Sequence, residues 1–436
     1  MQVIPITEFP IKNATACRLK WTWSSLWLTD GKTASCHRII AHDVPIENFH
    51  NFHNTPEKIA HRQLMLDGKW PVGGCQACQV MEEAGGTSER LQYLDKRWDH
   101  VTPPELYTDP TALEVTPRII EIFINNTCNL KCVYCCNDLS SSIENESLKF
   151  GKFDDHETNL SQGALRVVDE RSAHVKFKSQ RSAYVDKFFE WLDTNHTKIR
   201  RLHLLGGEPF LEPEFDRFLD FFKDHPSPNL VLMVFSNLMT KETLLQRQID
   251  KLASLLDTKS LLSVDISASI DGWGPMSTYT RSGLDLGVFE RNIKYIINST
   301  AKFQLVVGQT LTPLTIKETV PLIEKVQEWQ LLTNKHIAFG SQFQTVPDKD
   351  FLHFKNWDCS IFEEDFVNAI ESMSKYNSQY ASILDSLWNS VKNCKPNLQY
   401  LKEFRNYFNE LDRRRGTNWR EVFPHLSENI NVYLAN

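Results

Sequence analysis

A chain of 436 residues is long enough for two or three domains around a large core, and 41% hydrophobic with 24% charged residues is an ordinary globular composition. The formal net charge of −7 argues against a protein that grips nucleic acid through the phosphate backbone. No stretch approaches the ~20 apolar residues of a membrane span, and Met1 to Ile11 lacks a basic region followed by an apolar run, so the expectation is a cytoplasmic protein without a signal peptide.

The first segment, residues 1–115, reads as a small cysteine-rich module. Trp23 to Leu28 alternates partly like a strand, Asp30-Gly31 suits a hairpin turn, and Thr33 to Ile40 forms the return strand. Cys17, Cys36, Cys75 and Cys78 lie here; Pro103-Pro104 and Asp109-Pro110 mark a linker. Trp21, Trp23 and Trp27 read as packing for the small sheet, and His37 as a solvent-facing strand residue.

Residues 116–350 alternate strand and helix. The strands are Ile119 to Ile124, Arg201 to Leu205, Leu230 to Phe235, Leu261 to Ile270, Phe303 to Val307 and Ile337 to Gln342. The helices between them are Ala183 to Asn195, Glu214 to Lys223, Glu242 to Leu256, Val288 to Ile297 and Ile316 to Trp329. Six strands separated by helices predict an α/β fold with a parallel sheet, whose ligands sit at the strands' C-terminal ends. A polar, Ser-rich insertion, 137–181, interrupts the first unit and has the character of a lid or binding loop. Residues 351–436 form a helical C-terminal extension, with helices at Phe362 to Lys375, Tyr380 to Val391 and Leu398 to Leu411. The run Arg413-Arg414-Arg415 reads as a solvated helix end.

Ten cysteines in a long, unsecreted chain favour metal or redox chemistry over disulfides. Cys128, Cys132 and Cys135 form a C-x3-C-x2-C loop directly after the first barrel strand. Three thiolates can each bind one iron of a cubane cluster, leaving the fourth iron open to a cofactor. A zinc knuckle would need a fourth ligand, and Cys136 is poorly placed beside Cys135. Cys359 and Cys394 have no spacing partner and read as buried thiols.

This loop, with Tyr134 before its last cysteine, resembles that of the radical S-adenosylmethionine (SAM) superfamily. The resemblance implies a partial (β/α)6 TIM-like barrel, a SAM-binding [4Fe–4S] cluster on the three cysteines, and reductive cleavage of SAM to a 5′-deoxyadenosyl radical that abstracts hydrogen from substrate. Gly206-Gly207-Glu208-Pro209 resembles the GGEP motif that holds the cofactor's amino group: glycines permit close approach, and a carboxylate complements an ammonium. Ser269 resembles a ribose contact and Arg281 a methionyl-carboxylate contact; the plain alternatives are a strand-end cap and a salt bridge. Asn237, after the third strand, is a further candidate for this pocket. Gln309 and Gln342 end the last two strands without a separable role.

The C-x13-G-x4-C plus C-x2-C pattern of Cys17, Gly31, Cys36, Cys75 and Cys78 resembles a twitch module, the shortened relative of SPASM domains, here placed before the barrel. The resemblance implies a fully ligated auxiliary [4Fe–4S] cluster; a structural Zn(Cys)4 site is the alternative. It further implies a maturase acting on a ribosomally made peptide and an electron donor of the flavodoxin or ferredoxin type; with no recognisable winged-helix peptide-binding domain in the sequence, leader recognition is expected to fall to a separate protein. Oxidation of a small metabolite is the second reading. A non-enzymatic iron–sulfur or zinc regulator is the third.

Overall fold

The computed structural model describes residues 9–36, 39–83, 85–151, 170–333, 336–343 and 347–434, with the backbone alone for 170–182 and 347–348. His37 and residues 152–169 of the insertion lie outside the described residues.

Eleven strands appear in chain order: β1 Trp23–Trp27, β2 Lys32–Ala34, β3 His42–Asp43, β4 Ile119–Phe123, β5 Lys131–Cys132, β6 Arg201–Leu205, β7 Ser227–Ser236, β8 Leu261–Ser269, β9 Arg281–Ser282, β10 Gln304–Leu311 and β11 Ile337–Phe343. Nine of them form one sheet in the order β11-β10-β8-β7-β6-β4-β1-β2-β3. The six strands read from the sequence are β4, β6, β7, β8, β10 and β11, parallel neighbours in chain order. Such an order needs a crossover after each strand, and right-handed crossovers place the helices on a common face. The helix Pro213–Asp224 shows why that face packs: Phe215, Phe218, Leu219 and Phe222 are buried at helical spacing, with Pro at the first position and Glu214 and Asp216 in the first turn. Truncating the fully buried Phe218 would cost about 3–5 kcal/mol.

The N-terminal hairpin is not a detached ribbon. Its strand β1 runs parallel to β4, pairing Trp23 with Ile119 and Trp27 with Phe123, so the segment extends the main sheet. The return strand is short, Lys32–Ala34, and helices Pro56–Leu66, Gln76–Glu83 and Glu89–Tyr93 complete the segment. Alternation in β1 and β4 serves two cores. Leu26, Ile120 and Ile122 join the main core under the helices, whereas Trp23, Trp27 and Ile119 pack with Cys17, Leu19, Met65 and Cys75 on the opposite face. Gly31 takes φ +70°, as the hairpin turn requires, and an added Cβ would overlap the Tyr184 ring.

The C-terminal helices run Glu363–Tyr376, Ser378–Val391 and Leu398–Arg415. Asn377 and Asn397 cap the second and third, their side-chain oxygens accepting backbone N–H bonds from the first turn. The third helix ends at Gly416 in the left-handed region, φ 68°. The basic run there is not a solvated end. Arg414 and Arg415 side chains are 1% and 7% exposed, paired with Glu410 and Glu146 respectively, and only Arg413 faces water. Sequence reading missed this because the acidic partner of Arg415 lies 269 residues away.

Candidate functional site

The motifs of residues 116–350 lie toward the C-terminal ends of the parallel strands. β4 leads into the cysteine loop, β6 into Gly206–Pro209, β7 into Asn237, β8 into Asp271 and β10 ends beyond Gln309.

The cysteine loop is tied on every side. Cys132 pairs with Arg281 in the short antiparallel ladder β5–β9. Cys128 Sγ accepts from Leu130 N–H at 3.5 Å and from Asn237 Nδ2 at 3.7 Å. Cys132 Sγ lies 4.0 Å from Arg281 Nη1. Burial pushes the Cys128 and Cys132 thiols up to about 12 each, with the neighbouring loop thiols adding to the shift. Cys135 is raised well above the ordinary thiol value, first by its hydrogen bond to Cys136 and then by burial. Buried sulfurs of this kind become thiolates when a cation replaces the proton.

The loop is anchored from both chain directions. Ser141 and Ser142, at the start of the helix Ser141–Phe150, donate to Cys128 O at 3.3 and 2.7 Å. The C-terminal extension reaches back: Tyr407 donates to Val133 O at 2.8 Å and Arg415 to Lys131 O at 3.1 Å. Glu146 joins the two sides, accepting from Lys131 at 2.9 Å and Arg415 at 2.8 Å.

Gly206 and Gly207 are glycines because the cysteine loop passes directly against them. Gly206 has φ +124°, and an added Cβ would sit 2.4 Å from Asn125 O. At Gly207 an added Cβ would sit 2.2 Å from Thr127 O. The backbone N–H groups of Gly207 and Glu208 donate to Asn125 O and Thr127 O at 2.8 and 2.7 Å. The Glu208 carboxylate is fully buried and turns toward β7, accepting from Asn237 N–H at 2.6 Å, Ser236 Oγ at 2.7 Å and Phe210 N–H at 3.3 Å. Burial still pushes its carboxyl up to about 7 against those three donors. Pro209 opens the short turn that follows. Next along β7's end, Leu238 takes φ 53°, a strained conformation for a bulky residue, held by Asn292 bonding its carbonyl at 2.7 Å. That turn carries the Asn237 amide onto Cys128.

Asp271 is the junction that sequence reading gave no role. Completely buried, it accepts from Tyr134 Oη at 2.7 Å, Arg281 Nη2 at 2.9 Å and Thr310 N–H at 3.2 Å. Arg281 thus bridges a carboxylate and a cysteine sulfur, its guanidinium 5.6 Å from the Tyr134 ring centroid. Its Nε is buried without a hydrogen-bond partner, a donor suited to an anionic group beside the loop. Asp271 lies in the stretch Ser269 to Gly272 at the end of β8, but its partners, Tyr134, Arg281 and Thr310, come from other segments. Ser269 is half-buried at the end of β8. Gln309 is buried and occupied by Asp271 O, Thr319 and Ser341, whereas Gln342 is exposed.

The structure brings the four N-terminal cysteines together. Cys17, Cys36, Cys75 and Cys78 line one cavity of about 390 Å³, counting its mouth, with Leu19, Lys20, Ile39, Met65, Trp70, Gly74, Glu89 and Arg90. Cys17 is raised to about 12, by burial first and then by Cys36, with Cys75 adding and Lys20 opposing. Cys36 and Cys75, far apart in sequence, meet because Ile40 N–H bonds Gly73 O at 3.3 Å beside them. Among the described residues, no group of three or more His, Cys, Asp or Glu is gathered tightly enough to hold a single metal ion. No described helix is long and apolar enough to cross a membrane.

No family model matches the chain, and no curated protein matches it. Among solved structures it is similar to Streptococcus suis SuiB bound to the precursor peptide SuiA, at 12% identity and a TM-score of 0.37, covering 84% of this chain and 70% of that one. It is similar also to Streptococcus suis SuiB bound to S-adenosylmethionine, at 13% identity and a TM-score of 0.36, covering 82% and 69%. At scores this low the likeness carries no argument for chemistry.

Proposed function

We propose that this chain is a radical SAM enzyme that modifies a ribosomally made peptide. The observation that carries the reading is the placement of Cys128, Cys132 and Cys135 after β4, with the glycine pair, Asn237 and Arg281 converging on the same loop. On this reading β4, β6, β7, β8, β10 and β11 are the partial (β/α)6 barrel, residues 116–350, flanked by a twitch-like module, 1–115, and the helical extension, 351–436.

The three loop cysteines would hold a [4Fe–4S] cluster, and Cys17, Cys36, Cys75 and Cys78 an auxiliary one. When bound, the loop cluster and SAM supply a 5′-deoxyadenosyl radical. The chain's own groups do the positioning. Asn237 and Arg281 place N–H groups on two ligand sulfurs, which stabilises thiolate charge. Asp271 fixes the Arg281 fork, leaving its Nε for a carboxylate such as that of the cofactor's methionyl end. The Gly206–Gly207 backbone offers the close approach that an amino group needs, while Glu208 braces that turn from behind. Tyr134 closes the loop over Asp271, and Ser269 faces the same end of β8 for ribose contact.

Peptide modification is placed before metabolite oxidation because the second thiol site resembles a twitch module, which most often accompanies peptide modification; in either reaction an auxiliary cluster would take the electron that the substrate radical must lose. The proposal further expects a flavodoxin- or ferredoxin-type donor and a separate leader-recognition protein. The test is anaerobic reconstitution with iron, sulfide, dithionite and SAM, followed by assay of 5′-deoxyadenosine. Protein with a full cluster that makes none would overturn the reading. A mass shift on a co-expressed precursor peptide separates peptide from metabolite chemistry.

A further inference from the structure

The N-terminal cavity holds a cation that its cysteines alone do not explain. Lys20 lies one helical step after Cys17, in the helix Arg18–Thr22, and its backbone N–H donates to Cys17 O at 3.1 Å. Cys17 is the extended residue that precedes this helix, and both it and Lys20 line the cavity. Lys20 is 2% exposed, and its Nζ donates to His61 Nδ1 at 3.2 Å. Behind it sit two more buried basic side chains, Lys58 and Arg62, both 0% exposed; burial pulls Lys58 well below its usual value. Lys58 bonds the hydroxyls of Ser24 and Thr33 at 2.8 and 2.7 Å. Arg62 bonds Lys20 O at 2.8 Å, Leu113 O at 2.6 Å and Asn54 Oδ1 at 2.8 Å. These hydrogen-bond acceptors carry no charge; the acidic groups in reach are Glu114, near Arg62, and Glu89 in the cavity wall.

Burying ammonium and guanidinium groups is expensive unless opposite charge lies nearby. Four thiolates around a [4Fe–4S] core, or around one zinc ion, form a net dianion. The cavity faces that dianion with Lys20, so each charge offsets the desolvation cost of the other. One further electron on an iron–sulfur group adds negative charge, which a fixed cation stabilises.

We infer that Lys20 is the charge partner of the metal–thiolate group held by Cys17, Cys36, Cys75 and Cys78, raising both its affinity and, for iron, its reduction potential. The inference rests on reading that cavity as a metal site, and Lys20 acts as a positioning residue through its charge.

The test uses the full chain with Cys128, Cys132 and Cys135 changed to Ala, which leaves the N-terminal site alone. Iron, sulfide and zinc are counted first. No metal overturns the metal reading and the inference together. With about four irons per chain, an EPR-monitored titration compares Lys20 with Lys20→Met and Lys20→Arg. Lys20→Met is expected to make reduction at least about tenfold less favourable, a midpoint about 59 mV more negative for a one-electron couple. Lys20→Arg is expected to stay with the parent. If the site holds zinc instead, chelator competition is expected to show at least about tenfold weaker binding in Lys20→Met alone, a ratio worth about 1.4 kcal/mol. Loss of metal in the folded Met variant with retention in the Arg variant also supports the inference. A Met variant matching the parent in potential or affinity overturns it, as does equal loss of metal in Met and Arg variants that both fold. Should the Met chain not fold, Lys20→Gln replaces it under the same criteria.

Discussion

The loop after β4 gathers three thiols, and the N-terminal cavity gathers four, but the sulfurs are served differently. At the loop, donors reach individual sulfurs: an amide on Cys128 and a guanidinium, itself anchored by Asp271, on Cys132. In the cavity Lys20 lines the wall with Glu89 and with Arg90, itself paired with Glu82, while Lys58 and Arg62 lie buried behind. The loop also has a neighbouring donor without a partner, Arg281 Nε, and sits where strand ends converge. On the proposed reading, three candidate ligands suit a centre left open to a cofactor, and four suit one that only stores or passes charge.

The sharpest break in that comparison is a pair of cysteine changes. Cys132→Ala is expected to abolish 5′-deoxyadenosine formation, whereas Cys75→Ala keeps some cleavage and stops substrate turnover. Equal loss in both variants would erase the distinction between the sites.

Gly207→Ala comes next. The added Cβ meets a backbone carbonyl, which cannot yield as a side-chain end could, so the cysteine loop must shift at a cost of about 1–3 kcal/mol or more. Iron counts are expected to fall at the loop and to hold in the N-terminal cavity. A variant with both sites fully loaded would show that the glycine pair does not set the loop.

Glu208→Gln probes the loop's support by pH. The folded carboxyl titrates at about 7 rather than its usual 4.5, because burial disfavours its charge. The folded metal-free chain therefore holds that proton more tightly than the unfolded chain. The resulting stability is complete below about pH 4.5 and is lost as pH rises through about 7, an effect on the order of 3 kcal/mol. Urea midpoints across that window are expected to slope downward in the parent and to flatten in the Gln variant. Parallel slopes would remove Glu208 as the cause.

Tyr407→Phe should have the smallest effect. It leaves Val133 O without its phenol donor, a loss of about 1–3 kcal/mol at a buried site. A lower denaturation midpoint with unchanged N-terminal metal content is the expected result; loss of metal from the cavity would mean the two sites are mechanically joined.

The strand order and the loop's position were legible in the sequence, because six apolar strands alternate with helices and each motif follows a strand directly. The hairpin was legible as a hairpin, but its parallel pairing with β4 was not: the paired residues lie 96 positions apart, and nothing in a local pattern carries that register. Four cysteines near the start were legible as a group. The cations serving them were not, since Lys20, Lys58 and Arg62 look like ordinary helix-surface residues until the fold buries them. The same holds for Asp271 and Glu146, whose partners come from the cysteine loop, from other strands and from the helix Leu398–Arg415. Periodicity reports which face is buried; it does not report which charges meet there.

The bond from Tyr407 to Val133 spans 274 residues. At about 5–20 residues per second, a ribosome that has just made the cysteine loop needs roughly 15–55 s more to deliver the tyrosine that finishes it. Throughout that interval three closely spaced thiols wait in an unclosed loop, exposed to oxidants and stray metals. A chain cut short before Tyr407, within the helix Leu398–Arg415, would therefore present its cysteines without ever receiving that lock.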